Sequence, residues 1–226
     1  MRIRKLKNND EIIENSNYTI TNPKDYINKY QALFNNDNPI HLEIGSGKGD
    51  FIINNALTYP NINFIGIEKF TTVAARILSK LENKEIPNLK IIIMDAEEVN
   101  EIFNHEIDTL YLNFSDPWPK TRHEKRRLTS DIFLNVYDDI FIGNPTIIQK
   151  TDNQGLIESS IVSFSNYGYK IKEISLDLAK TEIPNIETEY ERKFKQLNQN
   201  IYYLKVEKEQ KKWYNHNESR SITWKN

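Results

Sequence analysis

The sequence contains no cysteine. No disulfide framework and no thiolate-ligated metal site can be built from it, and a cytoplasmic setting is compatible with the composition. Histidine is scarce as well. The four stand apart at positions 41, 105, 123 and 216 and give no metal-ligand spacing, so no bound metal is expected. No apolar run approaches the ~20 residues that a membrane-spanning helix needs. The start, Met1-Arg2-Ile3-Arg4-Lys5, is basic but no apolar stretch follows it, so neither a secretory signal nor a membrane partner is expected. Charge of one sign is also lacking. Thirty lysines and arginines face 32 aspartates and glutamates, a formal net charge of −2, which taken alone argues against a chain devoted to nucleic acid. What is left is a globular composition, 38% hydrophobic and 27% charged, and 226 residues suffice for one α/β domain with a sizeable core.

Glycine is sparse, yet the chain is organised around three glycines, at 45, 47 and 49. Before them, Ile40, Leu42 and Ile44 predict a buried strand bounded by Pro39. After them, Phe51, Ile52, Ile53, Ala56 and Leu57 predict a helix. Strand, glycine turn and helix form the cofactor-binding corner of a doubly wound α/β fold, where ligands sit beyond the carboxyl ends of the strands. The spacing is G-x-G-x-G rather than the G-x-G-x-x-G of dinucleotide sites, and Glu43 stands just before the first glycine. An anion there repels a pyrophosphate and suits a ligand carrying a sulfonium and an amine. The stretch Glu43-Ile44-Gly45-Ser46-Gly47-Lys48-Gly49 resembles motif I of the class I S-adenosylmethionine-dependent methyltransferases. A plain glycine-rich turn is the alternative.

Further strands are predicted at 63–68, 90–94, 107–114, 146–150, 169–178 and 201–206, and helices at 69–82, 97–103, 128–140 and, after Gly155, to about 167. Two more of these strands end in acids. Glu68 lies where a doubly wound fold holds a carboxylate for ribose hydroxyls. Asp95-Ala96 can meet an adenine, the carboxylate accepting from the amino group and the next backbone N–H bonding a ring nitrogen. The fourth strand runs into Ser115-Asp116-Pro117-Trp118-Pro119-Lys120, a loop stiffened by two prolines beside the first strand. Charge is then locally positive: Arg2, Arg4, Lys5 and Lys7 at the start, and Lys120, Arg122, Lys125, Arg126 and Arg127 with His123 after the loop. Such patches can be an electrostatic footprint for RNA, or a solvated face.

The run Asn113-Phe114-Ser115-Asp116-Pro117-Trp118-Pro119-Lys120-Thr121-Arg122-His123-Glu124-Lys125-Arg126-Arg127-Leu128 resembles the signature of the bacterial tRNA (guanine-N7)-methyltransferase family, TrmB. Thr151-Asp152-Asn153 and Thr188-Glu189-Tyr190-Glu191 resemble that family's further substrate motifs. The resemblance implies S-adenosylmethionine as cofactor and tRNA as partner, with methyl transfer to N7 of a guanosine in the variable loop, at position 46. It implies a Rossmann-like class I methyltransferase fold, α/β, with a seven-stranded, mostly parallel sheet and helices on both faces. Glu43, Gly45, Gly47, Gly49, Glu68, Asp95, Ala96 and Asp116 would hold the cofactor, Asp116 also standing at the reacting base. Lys120, Asp152, Thr188, Glu189, Tyr190 and Glu191 would bind the guanosine. Arg122, His123, Glu124, Lys125, Arg126 and Arg127 would contact RNA. The expected division is an N-terminal arm at 1–38, the methyltransferase domain at 39–208 and a polar tail at 209–226, in a monomer or homodimer. The alternatives are an inactive RNA-binding module on the same fold and a dinucleotide-dependent oxidoreductase.

Overall fold

Apolar runs without alternation make strands that must be covered on both faces. In the computed structural model, which describes residues 8–209, seven strands form one sheet, the inner ones apolar runs of this kind. In chain order they are β1 Ile40–Ile44, β2 Asn63–Glu68, β3 Leu89–Ile93, β4 Ile107–Asn113, β5 Phe141–Thr151, β6 Lys170–Ser175 and β7 Tyr202–Glu207. Across the sheet the order is β3-β2-β1-β4-β5-β7-β6. The first five are parallel, and β7 runs antiparallel between β5 and β6. The expected α/β fold is therefore the observed one. The chain leaves β1 toward β2 and β3, then crosses back to β4. This reversal opens a crevice at the carboxyl ends of β1 and β4.

Among the described residues seven α-helices accompany the strands: α1 Asn9–Asn15, α2 Tyr30–Phe34, α3 Asp50–Thr58, α4 Thr71–Leu81, α5 Asp131–Asp138, α6 Gln154–Tyr167 and α7 Glu189–Gln196. The period-two pleat divides the strand residues between two layers. Phe64 and Ile91 pack with Ile52 and Ala56 of α3 and Ile77 and Leu81 of α4. Their neighbours Ile65 and Ile92 share the opposite cluster with Leu134 and Tyr137 of α5 and Phe164 of α6. Among the described residues no helix is long and apolar enough to cross a membrane.

Residues 8–38 are built into this core. Tyr30 of α2 is fully buried, its ring 4.6 Å from that of Phe103. Ile12 and Ile13 of α1 pack on the α3–α4 layer. Thr19 bridges Ile91, with Ile20 N–H donating to the Ile91 carbonyl at 2.9 Å and Ile91 N–H to the Tyr18 carbonyl at 2.8 Å. The outer edge of β3 is thereby covered, which removes an exposed pairing edge. The basic residues at 2–7 and the tail with Trp213 and Trp224 lie outside the described residues.

Several expected boundaries move, each for a local reason. β4 stops at Asn113 because Phe114 is left-handed, φ 51°. The helix expected from 128 begins at Asp131; before it, 121–126 form a short 3-10 helix. The piece at 97–103 is also 3-10, Ala96–Glu101. β5 begins at Phe141 rather than 146, because Gly143 takes φ 73° and lets residues 142–145 bulge from the ladder with β4. Leu57 and Ile132, expected in apolar helix faces, are 57% and 51% exposed.

Candidate functional site

A cavity of about 760 Å³ opens at the carboxyl ends of β1, β2, β3 and β4. The glycine turn forms its floor. Gly45, Gly47 and Gly49 have φ of 79°, 53° and 79°, a region that L side chains rarely adopt. They differ in surroundings. A Cβ on Gly45 would meet nothing within 4 Å, whereas one on Gly49 would sit 2.7 Å from Ile77 of α4. Gly49 thus lets α3 pack closely, while Gly45 leaves room for a ligand to approach.

Six carboxylates line the cavity: Asp50 and Glu189 at its edge, and Glu43, Glu68, Asp95 and Asp116 at the strand ends and in the loop after β4. Glu43, in β1, is 2% exposed. One of its oxygens accepts from Asn113 Nδ2 at 2.8 Å, and the other, Oε2, has no partner. Burial pushes its carboxyl up to about 7, against the pull of Asn113, Ser46 and Lys150. Glu68 ends β2 and accepts backbone N–H groups from Gly47 and Phe70, each at 3.0 Å. It therefore ties its strand to the glycine turn. Burial raises its pKa, and the surrounding backbone N–H groups oppose that rise. Asp95 caps the 3-10 helix at Ala96 and pairs with Lys69. Burial would raise its carboxyl, but Lys69 and the N–H groups of Glu97 and Ala96 prevail and hold it low.

Asp116 stands exposed on the fourth wall, in a loop that is strained and clamped. Trp118, between two prolines, has φ 39°, a conformation costing roughly 1–3 kcal/mol for a bulky residue. The Arg127 guanidinium offsets this by donating to the Pro117 and Trp118 carbonyls, both at 3.1 Å. Arg126 sits 5.0 Å from the Trp118 ring centre and His123 5.6 Å away on the same ring. The fifth wall is the start of α7. Thr188 caps that helix through a reciprocal capping box with Glu191. Glu189 pairs with Lys48 of the glycine turn. The Tyr190 ring lies stacked 5.9 Å from that of Phe114 and stays 51% exposed.

The cavity thus gathers Glu43, Gly45, Gly47, Gly49, Glu68, Asp95, Ala96, Asp116, Thr188, Glu189, Tyr190 and Arg126. It does not gather every residue expected there. Glu191 is 1% exposed and turned into the protein, where it pairs with Lys150; its carboxylate holds α7 rather than facing a guanosine. Arg127 donates two guanidinium N–H groups to carbonyls of its own loop and clamps it. Lys120, Asp152, Arg122, Glu124 and Lys125 are exposed outside the cavity lining, and His123 is partly covered beside Trp118. Most of the basic run lies on the 3-10 helix Thr121–Arg126, between the Asp116 loop and α5. The sequence motifs assign no role to Asn113, which holds Glu43, or to the lysines at 48, 69 and 150, which pair with Glu189, Asp95 and Glu191. Their positions at strand ends or in the turn were visible, but nothing in their spacing names a partner.

The residues present fit S-adenosylmethionine. The acidic lining suits its positive charges, the open left-handed turn admits a close approach, and the unpaired Glu43 oxygen lacks the donor that an amine would provide. A pyrophosphate would meet Glu43 and Glu68 instead, which counts against the dinucleotide alternative. Among the described residues no group of His, Asp and Glu is placed to hold a metal ion.

Comparison with known proteins agrees with this geometry. Residues 37–204 match the family model described as "Putative methyltransferase". Among solved structures, a 16S rRNA methyltransferase, KamB, superposes with a TM-score of 0.63 at 14% identity, covering 81% of this chain and 94% of that one. An antibiotic-related methyltransferase gives 0.62 at 20% identity, covering 86% and 98%. These two share the fold. Sequence relatives are much nearer. The tRNA (guanine-N(7)-)-methyltransferase of Bacillus subtilis strain 168 is 47% identical over 200 residues, 88% of this chain and 94% of its own. That of Streptococcus gordonii is 47% identical over 209 residues, 91% and 99%. Identity at that level, sustained along nearly the whole of both chains, leaves one conclusion: the chain belongs to the tRNA (guanine-N7)-methyltransferase family.

Proposed function

We propose that this chain transfers the methyl group of S-adenosylmethionine to N7 of the guanosine at position 46 in the variable loop of tRNA. The observation that carries this reading is the meeting, in one cavity, of the acidic glycine turn with the loop that bears Asp116. S-adenosylmethionine, when bound, supplies an electrophilic methyl on its sulfonium. Guanine N7 carries a lone pair at neutral pH, so the protein has no proton to remove before attack. Its work is to hold N7 and the methyl carbon close and aligned, which can contribute ~7–11 kcal/mol. The base gains positive charge as the bond forms, and the fixed Asp116 carboxylate favours that charge. Tyr190 offers a flat, half-exposed ring on which a base can stack. In this reading Thr188 and Glu189 bound the guanosine from α7 and Asp152 from the end of β5, while Lys120, Arg122, His123, Glu124, Lys125 and Arg126 meet the RNA at the rim. A cytoplasmic place of action accords with a chain free of cysteine.

Two results are expected of single variants. Glu68→Ala should weaken S-adenosylmethionine binding by about tenfold or more, because a charged acceptor worth roughly 1.5–3 kcal/mol is lost and the glycine turn loses its tether to β2. Calorimetry on the folded variant checks it; unchanged affinity would exclude the role. Arg126→Ala should weaken tRNA binding and make the slope of log affinity against log salt shallower by about 0.7–0.9, the share of one phosphate contact. Donor affinity should not change. Parallel salt plots would mean that Arg126 touches only Trp118. The position is tested with a tRNA transcript carrying adenosine in place of guanosine 46. It should accept no methyl group, and undiminished methylation would move the target elsewhere.

A further inference from the structure

Lys150, near the carboxyl end of β5, has 2% of its side chain exposed, and the methyl transfer described above calls for no cation there. Its ammonium donates to Glu191 Oε2 at 2.6 Å, to Asn185 Oδ1 at 2.9 Å and to the Ile186 carbonyl at 3.0 Å. All three acceptors belong to one short stretch, 185–191. Glu191 in turn accepts from Asn185 Nδ2 and from Thr188 N–H, both at 2.7 Å. Residues 182–188 form no regular secondary structure, so no ladder fixes their place. The same ammonium lies 4.6 Å from the ring centre of Phe51, in the first turn of α3 just after the glycine turn. The Lys150 carbonyl accepts the N–H of Phe114 at 2.8 Å. Phe114 is the left-handed residue that opens the Asp116 loop, and its ring stacks on Tyr190.

A buried ion pair is a weak source of stability, because desolvation offsets the attraction and an apolar pair of equal volume often serves as well. An apolar pair cannot, however, direct three N–H bonds to three fixed oxygens. We propose that Lys150 is a positioning residue for methyl transfer: it sets the placement of 185–191, and with it Thr188, Glu189 and Tyr190, against the Asp116 loop and the glycine turn. This rests on the methyl-transfer reading, with residues 188–190 on the substrate side.

The test compares the wild-type protein with Lys150→Met/Glu191→Leu, which removes both charges together, and with Asn185→Ala, which removes two hydrogen bonds at an exposed residue and strands no buried charge. The double variant should melt near the wild-type temperature. Its turnover on tRNA should fall about tenfold or more, as expected when a substrate wall shifts by a fraction of an ångström to one ångström, while S-adenosylmethionine affinity stays within about twofold. Asn185→Ala should show the same split with a loss of about two- to tenfold. A stable double variant with wild-type turnover would overturn the proposal. So would an equal fall in turnover and donor affinity, since that marks a general support of the fold. Should the double variant not fold, unchanged kcat and KM in Asn185→Ala would overturn the proposal by themselves. Hydrogen exchange gives a readout apart from activity: the backbone amides at positions 188 and 191 should exchange faster in both variants, and unchanged protection counts against Lys150 as the anchor. A wild-type protein that leaves tRNA unmethylated would refute the methyl-transfer reading instead.

Discussion

Asp116→Asn is expected to lower the turnover of methyl transfer to tRNA by about a hundredfold or more, with a much smaller change in tRNA affinity. The substitution preserves shape and removes charge. Asp116 lies on a loop that cannot easily re-aim it: Pro117 and Pro119 fix φ on either side of Trp118, and Arg127 grips two carbonyls of the same loop. The carboxylate is exposed at the cavity, where it can face the reacting base. Its attraction for the base is small before transfer, when the guanine is neutral, and large once N7 takes the methyl and the ring becomes cationic. An interaction that grows along the reaction appears in kcat rather than in binding. Steady-state kinetics with tRNA as the varied substrate separates the two. Turnover close to wild type would mean that the cationic ring is stabilised by something other than this charge.

Glu43→Gln should act in opposite directions on stability and on donor binding. Burial holds the Glu43 carboxyl at about 7, above its ordinary 4.5. A folded-state pKa above the unfolded one favours the folded protein while the group is protonated. That contribution is complete below pH ~4.5 and is lost as pH rises from there through about 7. In the ligand-free protein above neutrality, the buried charge therefore costs up to ~3 kcal/mol. Glutamine removes the charge and keeps an acceptor for Asn113. The ligand-free variant should melt at a higher temperature than wild type at pH 8, and the difference should shrink toward pH 4.5. Affinity for S-adenosylmethionine should meanwhile fall about tenfold or more, because a cationic donor loses a buried anion. Thermal melts across this pH range, with calorimetry of donor binding, check both halves. A variant that melts no higher at pH 8 and binds the donor normally would remove Glu43 from the account.

The sequence made the sheet legible wherever apolar runs met punctuation. β1 and β2 were read to the residue, because Pro39, the three glycines and Gly66-Ile67-Glu68 delimit them. Three acidic strand ends could be aligned because parallel strands bring their carboxyl ends to one side. β5 was read too short for a related reason: Gly143-Asn144-Pro145 looks like a break, and only the fold reveals that left-handed Gly143 absorbs it as a bulge. In the site, chemistry was legible and direction was not. Arg126 and Arg127 are adjacent and alike in sequence, yet one faces the cavity over Trp118 and the other turns back onto its own loop. Glu189 and Glu191 differ in the same way, two residues apart across the start of a helix. Which way a long charged side chain turns depends on partners brought from elsewhere in the chain: the Pro117 carbonyl that accepts from Arg127, the Lys150 ammonium that donates to Glu191. Periodicity does not encode them.

The central claim is a reaction at one atom of one nucleoside. Its most direct test incubates the wild-type protein with an unmodified tRNA transcript and methyl-labelled S-adenosylmethionine, then digests the RNA to nucleosides and separates them. The label should co-migrate with N7-methylguanosine, at no more than about one methyl group per tRNA. Label on any other nucleoside, or RNA that takes up no label while the protein binds the donor, would contradict it.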